Sequence, residues 1–68
     1  MEDQKFELVY SAGKAYEAEL IVGLLAENGI EASIINKRDR EFLIGEVEVY
    51  VKEEDVARAK EIIENRGA

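Results

Sequence analysis

The chain has no cysteine, no histidine and no proline. Without cysteine there is no disulfide, no thiolate nucleophile and no sulfur-ligated zinc site. Without histidine the commonest general base and the commonest transition-metal ligand are both missing. Serine occurs only at Ser11 and Ser33, and no imidazole exists to activate either hydroxyl. A small domain free of disulfides fits a reducing compartment. The longest uncharged stretch, Leu20 to Ala26, falls far short of the roughly 20 residues a membrane span needs. The opening Met1-Glu2-Asp3-Gln4-Lys5 reads as a polar tail without the apolar run of a signal peptide. The expected location is cytoplasmic.

What is present is enough for one compact unit. The 68 residues, 47% hydrophobic and 37% charged, make a single domain over 1–68 with enough apolar surface to offset ordering entropy. Nine basic residues against sixteen acidic ones give a net charge of −7. That sign repels nucleic-acid backbones and anionic membranes, so neither is expected as a partner.

Periodicity divides the chain into five elements. Phe6-Glu7-Leu8-Val9-Tyr10 alternates as a strand, with Phe6, Leu8 and Tyr10 on one face and Glu7 and Val9 on the other. Ser11-Ala12-Gly13 is expected to end it. From Lys14 to Asn28, Ala15, Ala18, Ile21, Val22 and Leu25 recur at helical spacing. Leu20 and Leu24 widen that stripe, either to pack on a second helix or as an exposed ridge. Gly29 suits the left-handed position after a helix end. Ile30 to Asn36 reads as a second strand, and Lys37 to Glu41 as a charged loop. Phe42-Leu43-Ile44-Gly45 is an apolar segment that covers the core, extends the third strand or forms a contact surface. Glu46 to Lys52 alternates most clearly, with Val47, Val49 and Val51 on one face. Glu53-Glu54-Asp55 places acids at the positive end of a second helix dipole. Val56, Ala59, Ile62 and Ile63 form that helix's stripe. The expected core is Leu8, Ala18, Ile21, Leu25, Ile34, Val47, Val49, Val51, Ala59 and Ile63.

The order β-α-β-β-α predicts an α+β two-layer sandwich. Its sheet is three-stranded and antiparallel in the order 1-3-2, covered on one face by two helices, as in a truncated ferredoxin-like fold. The first strand is then an edge. Neither proline nor an evident bulge signal interrupts Phe6–Tyr10, so a homodimer through antiparallel pairing of two such strands is expected as one mode of assembly.

Several stretches, in order and spacing, resemble one bacterial family. They are Phe6-x-Leu8-Val9-Tyr10-Ser11, Glu17-Ala18-Glu19-Leu20-Ile21, Leu24-Leu25-x-x-Asn28-Gly29-Ile30-Glu31-Ala32 and Gly45-Glu46-Val47-Glu48-Val49-Tyr50-Val51, followed by Glu53-Glu54-Asp55 and Ala59. The family is the small domain labelled "putative prokaryotic signal-transducing protein". The resemblance implies a ferredoxin-like fold related to the PII (GlnB-like) regulators. Where members often carry a proline after the third strand, this chain has Lys52. The 36–45 segment is too short for a PII-type arm, and no nucleotide-binding motif is recognisable, so no ATP-binding residues carry over.

Two groups stand out as candidate sites. Lys37, Arg38 and Arg40 form the one basic cluster, either a clamp for a phosphate or carboxylate or a solvated run paired with Asp39 and Glu41. Val9, Ile35 and Tyr50 on the sheet face away from the helices, with Phe42, Leu43 and Ile44, form a candidate protein interface. The carboxylates follow no metal-binding or glycosidase spacing. Ser11-Ala12-Gly13-Lys14 lacks the spacing of a phosphate loop. No catalytic residue, metal or cofactor is expected. The sequence reads as a non-enzymatic regulatory module that binds a protein, with a sensor of anionic metabolites through the 36–45 loop as the alternative.

Overall fold

The computed structural model describes residues 5–36 and 47–66. Strand β1 spans Phe6–Ala12, helix α1 Ala15–Glu27, strand β2 Ala32–Asn36 and strand β3 Val47–Lys52. A 3₁₀ turn over Glu53–Asp55 leads into helix α2, Val56–Asn65. The sheet is antiparallel in the order β1-β3-β2. Helix α1 packs on all three strands, and α2 packs on α1, β1 and β3. The expected α+β sandwich is the observed one.

Strand β3 is central because its valines all point one way. Val47, Val49 and Val51 are fully buried beneath the helices, while Glu48, Tyr50 and Lys52 are only partly covered on the opposite face. The remaining core is Ala12, Ala18, Ile21, Leu25, Ile30, Ala59 and Ile63. Among the described residues no polar or charged side chain is buried, so the interior carries no desolvated charge to compensate.

Helix α1 ends in a Schellman motif. The Ile30 amide donates to the Leu25 carbonyl at 2.9 Å and the Gly29 amide to the Ala26 carbonyl at 3.0 Å, satisfying carbonyls the helix leaves unpaired. Gly29 takes φ +82, and no atom lies within 4 Å of where its Cβ would sit. The requirement for glycine there is therefore conformational rather than steric. The turn drops Ile30 into the core beside Leu25, and both are fully buried. Residue 30 was expected in the second strand, which instead begins at Ala32.

Strand β1 departs most from the expected pattern. It runs on through Ser11 and Ala12, and Ala12 is buried. Leu8 pairs with Tyr50 but Tyr10 pairs with Val49, so one extra residue is inserted in β1 between them. This is a β-bulge. Directly opposed residues share a face. Phe6 and Leu8, opposite Lys52 and Tyr50, therefore lie on the helix-free face, and Tyr10 and Ala12, opposite Val49 and Val47, lie on the core face. Leu8 is 43% exposed rather than buried. Val9, expected on the helix-free face, is partly buried and packs against the core, as does Tyr10.

Ile34 is the second departure. It lies opposite Val49 on the helix side yet is 40% exposed. Strand β2 is an edge strand at the rim of the helix layer, whereas α2 covers β1 and β3. The bulge also corrects the expectation of an uninterrupted β1 edge, because it breaks the ladder two residues after Phe6.

Two stability outcomes follow. Leu25→Ala should cost about 2–5 kcal/mol by leaving a cavity, whereas Leu8→Ala should cost no more than about 1 kcal/mol. Urea midpoints of the two variants check this ordering, and equal losses would place Leu8 in the core. Gly29→Ala should cost about 1–2 kcal/mol because L-residues are strained at left-handed dihedrals, and Gly29→Asn clearly less. A Gly29→Ala variant that melts with the wild type would contradict the Schellman geometry.

Candidate functional site

The bulge assembles an apolar patch on the sheet face that no helix covers. Phe6 and Leu8 from β1, Ile35 from β2 and Tyr50 from β3 lie on that face. Phe6, Ser33, Ile35 and Tyr50 line a shallow depression of about 390 Å³. Phe6, Leu8 and Ile35 are each more than two-fifths exposed. Scattered surface hydrophobics need no explanation, whereas several gathered on one face make a candidate contact surface.

A short charged row runs through the middle of this patch. Alternation along β3 places Glu48, Tyr50 and Lys52 side by side on the helix-free face. The Tyr50 hydroxyl donates to Glu48 Oε1 at 2.8 Å, which holds the ring along the strand towards Glu48. That hydrogen bond to a carboxylate favours the neutral phenol and raises the Tyr50 pKa above its ordinary value of 10.0. Partial desolvation and the adjacent negative charge act in the same direction.

A second concavity, about 320 Å³, lies on the helix side and is lined by Tyr10, Glu17, Leu20, Ile21, Leu24 and Arg66. The Arg66 guanidinium sits over the Tyr10 ring, 5.2 Å from its centroid. It donates to the Ile63 carbonyl at 2.9 Å and to the Tyr10 hydroxyl at 3.2 Å. Arg66 thus complements the negative end of α2 and ties that end to β1. Leu20 is 67% exposed and Leu24 half-buried, so of the two leucines that widen the α1 stripe only Leu20 stands out as an exposed ridge residue.

Of the residues singled out in sequence, Ile35 and Tyr50 are brought together on the helix-free face. Val9 is turned to the other side by the bulge. Lys37, Arg38, Arg40, Phe42, Leu43 and Ile44 lie outside the described residues. Phe6 and Leu8 were missed as site residues because simple alternation sends them inward. The apolar character of Val9 and Tyr10 together, which strict alternation cannot place on one face, was the available signal. Among the described residues, no group of three potential ligands could hold a metal ion. No helix among them is long and apolar enough to cross a membrane.

The Tyr50–Glu48 bond gives a spectroscopic prediction. Protonated Tyr50 is the form the fold favours. Its contribution to stability is therefore present below the unfolded pKa near 10 and is lost as pH rises through the higher folded pKa. Ultraviolet titration of the phenols should show one group ionising later than free tyrosine. Glu48→Gln removes the charge and should bring that group back towards 10; an unchanged titration would place the Glu48 carboxylate away from Tyr50.

Among curated proteins and among solved structures, none matches this chain. A family model does, that of "Putative prokaryotic signal transducing protein", over residues 6–67. The match takes in every strand and helix described above, and the chain belongs to this family.

Proposed function

We propose that this chain is a non-enzymatic regulatory module that binds a protein partner through the helix-free sheet face. The observation that carries this reading is the cluster of exposed Phe6, Leu8 and Ile35 around half-buried Tyr50 on a face that neither helix covers. Tyrosine and phenylalanine on such a face supply large contact area at small entropic cost, the usual anchors of an interface. The family description names signalling rather than a catalysed reaction, which accords with a chain free of histidine and cysteine. A module of this kind works in the cytoplasm, where its unbridged core and acidic surface suit it.

The anion-sensing alternative has the sequence clustering of Lys37, Arg38 and Arg40 as its support. A metabolite bound through that loop would raise the melting temperature in a ligand screen. The helix-free face is favoured because its residues are gathered by pairing across three strands.

Immobilised protein exposed to a bacterial extract tests the reading. A partner held by the wild type and by Leu20→Ala should be lost from columns carrying Leu8→Ala or Tyr50→Ala, with affinity at least about tenfold weaker for an anchor residue. Equal retention on all four columns would move the binding surface elsewhere.

A further inference from the structure

We infer that the helix-free sheet face docks on the same face of a second copy of this chain, about a two-fold axis that passes over β3 at Tyr50. The inference rests on the reading of that face as a binding surface and names its occupant.

The first ground is charge. The chain carries −7, so two copies repel over most of their surfaces. The row through the centre of this face is different: among the described residues of β3 it holds one acid, Glu48, and one base, Lys52, placed two residues either side of Tyr50. An isologous contact must be complementary to itself. A two-fold axis lying between the sheets and across the strands reverses β3 of one copy over β3 of the other. Glu48 then meets Lys52 of the second copy, and Lys52 meets its Glu48. An axis along the strands would oppose glutamate to glutamate and lysine to lysine, which is destabilising. The charge row therefore selects one orientation.

The second ground is what else that axis brings together. Leu8 and Ser33 sit opposite Tyr50 in the ladder, so all three lie at the level of the axis. Leu8 meets Leu8 and the Tyr50 rings meet each other, giving an apolar centre with ion pairs towards both ends. Sheets packed face to face in this way lie about 10 Å apart with strands within about 30° of alignment. The bond from Tyr50 to Glu48 keeps the ring inclined along the strand.

Area sets the strength of the contact. Three strands spaced about 4.8 Å apart and roughly 20 Å long present a footprint of about 300 Å². A standard interface takes about 800 Å² from each partner. The dimer is therefore a weak one that responds to protein concentration, as suits a regulatory module. The bulge argues against the competing edge-to-edge dimer, because a bulged strand bends and twists between Leu8 and Tyr10 and so makes a poorer outer edge for pairing.

Sedimentation equilibrium from micromolar to millimolar protein, on the full chain, tests the inference with the charge-reversal variants E48K and K52E. The wild type should show a monomer–dimer equilibrium. Each single reversal should raise the dissociation constant at least tenfold, although E48K makes the chain less acidic and K52E more so. Repulsion governed by net charge alone would move the two in opposite directions. Mixing the two single variants should restore dimerisation, as should the double swap E48K/K52E, which also shows that the variants fold. A monomer mass throughout the range overturns the inference, as does a dimer insensitive to both reversals. A monomeric chain whose capture of a foreign protein still depends on Tyr50 would overturn the dimer and leave the binding face standing. Loss of that dependence together with charge-sensitive dimerisation would support the dimer and remove the foreign partner.

Discussion

Strand β1 carries one residue more than the stretch of β3 it pairs with, between Leu8 and Tyr10. Because side chains alternate with a period of two, that residue sends the two halves of the strand to opposite faces. Ala12 and Tyr10 join the core from one half, and Phe6 and Leu8 face away from the helices in the other. An unbulged β1 would have buried Leu8 and exposed Val9. The helix-free face would then have carried Tyr50 and Ile35 with much less apolar surface around them.

The elements with unbroken periodicity are the ones legible in sequence. Val47, Val49 and Val51 alternate strictly and are all fully buried, and Ala18, Ile21 and Leu25 keep helical spacing and are buried too. Gly29 reads as a left-handed helix stop and has φ +82. Sheet order followed from element order and chain connectivity. Neither glycine nor proline marks the bulge, and the adjacent apolar pair of strand formers, Val9 and Tyr10, is its one trace in the sequence. Ile34 was misplaced for a different reason: alternation gives the face of a residue but not whether a helix reaches over it. The same holds in reverse for Ile30, which is buried by the Schellman turn rather than by a strand.

The candidate site shows the same division. Ile35 and Tyr50 follow from alternation and lie on the helix-free face, whereas Phe6 and Leu8 reach it only through the bulge. On a domain of net charge −7, a face whose described central strand pairs one acid, Glu48, with one base, Lys52, about Tyr50 is electrostatically distinct. The family model, described as "Putative prokaryotic signal transducing protein", spans all three strands that build this face.

Nuclear Overhauser contacts of the Leu8 methyl groups test this account most directly, since β1 can place them on only one side of the sheet. The bulged strand predicts contacts from Leu8 to the Tyr50 ring, with none to Ile21 or Leu25, and contacts from Val9 to core side chains. Leu8 methyl contacts with Ile21 and Leu25, with Val9 left in solvent, would mean an unbulged β1 and would remove the apolar face on which the functional reading depends.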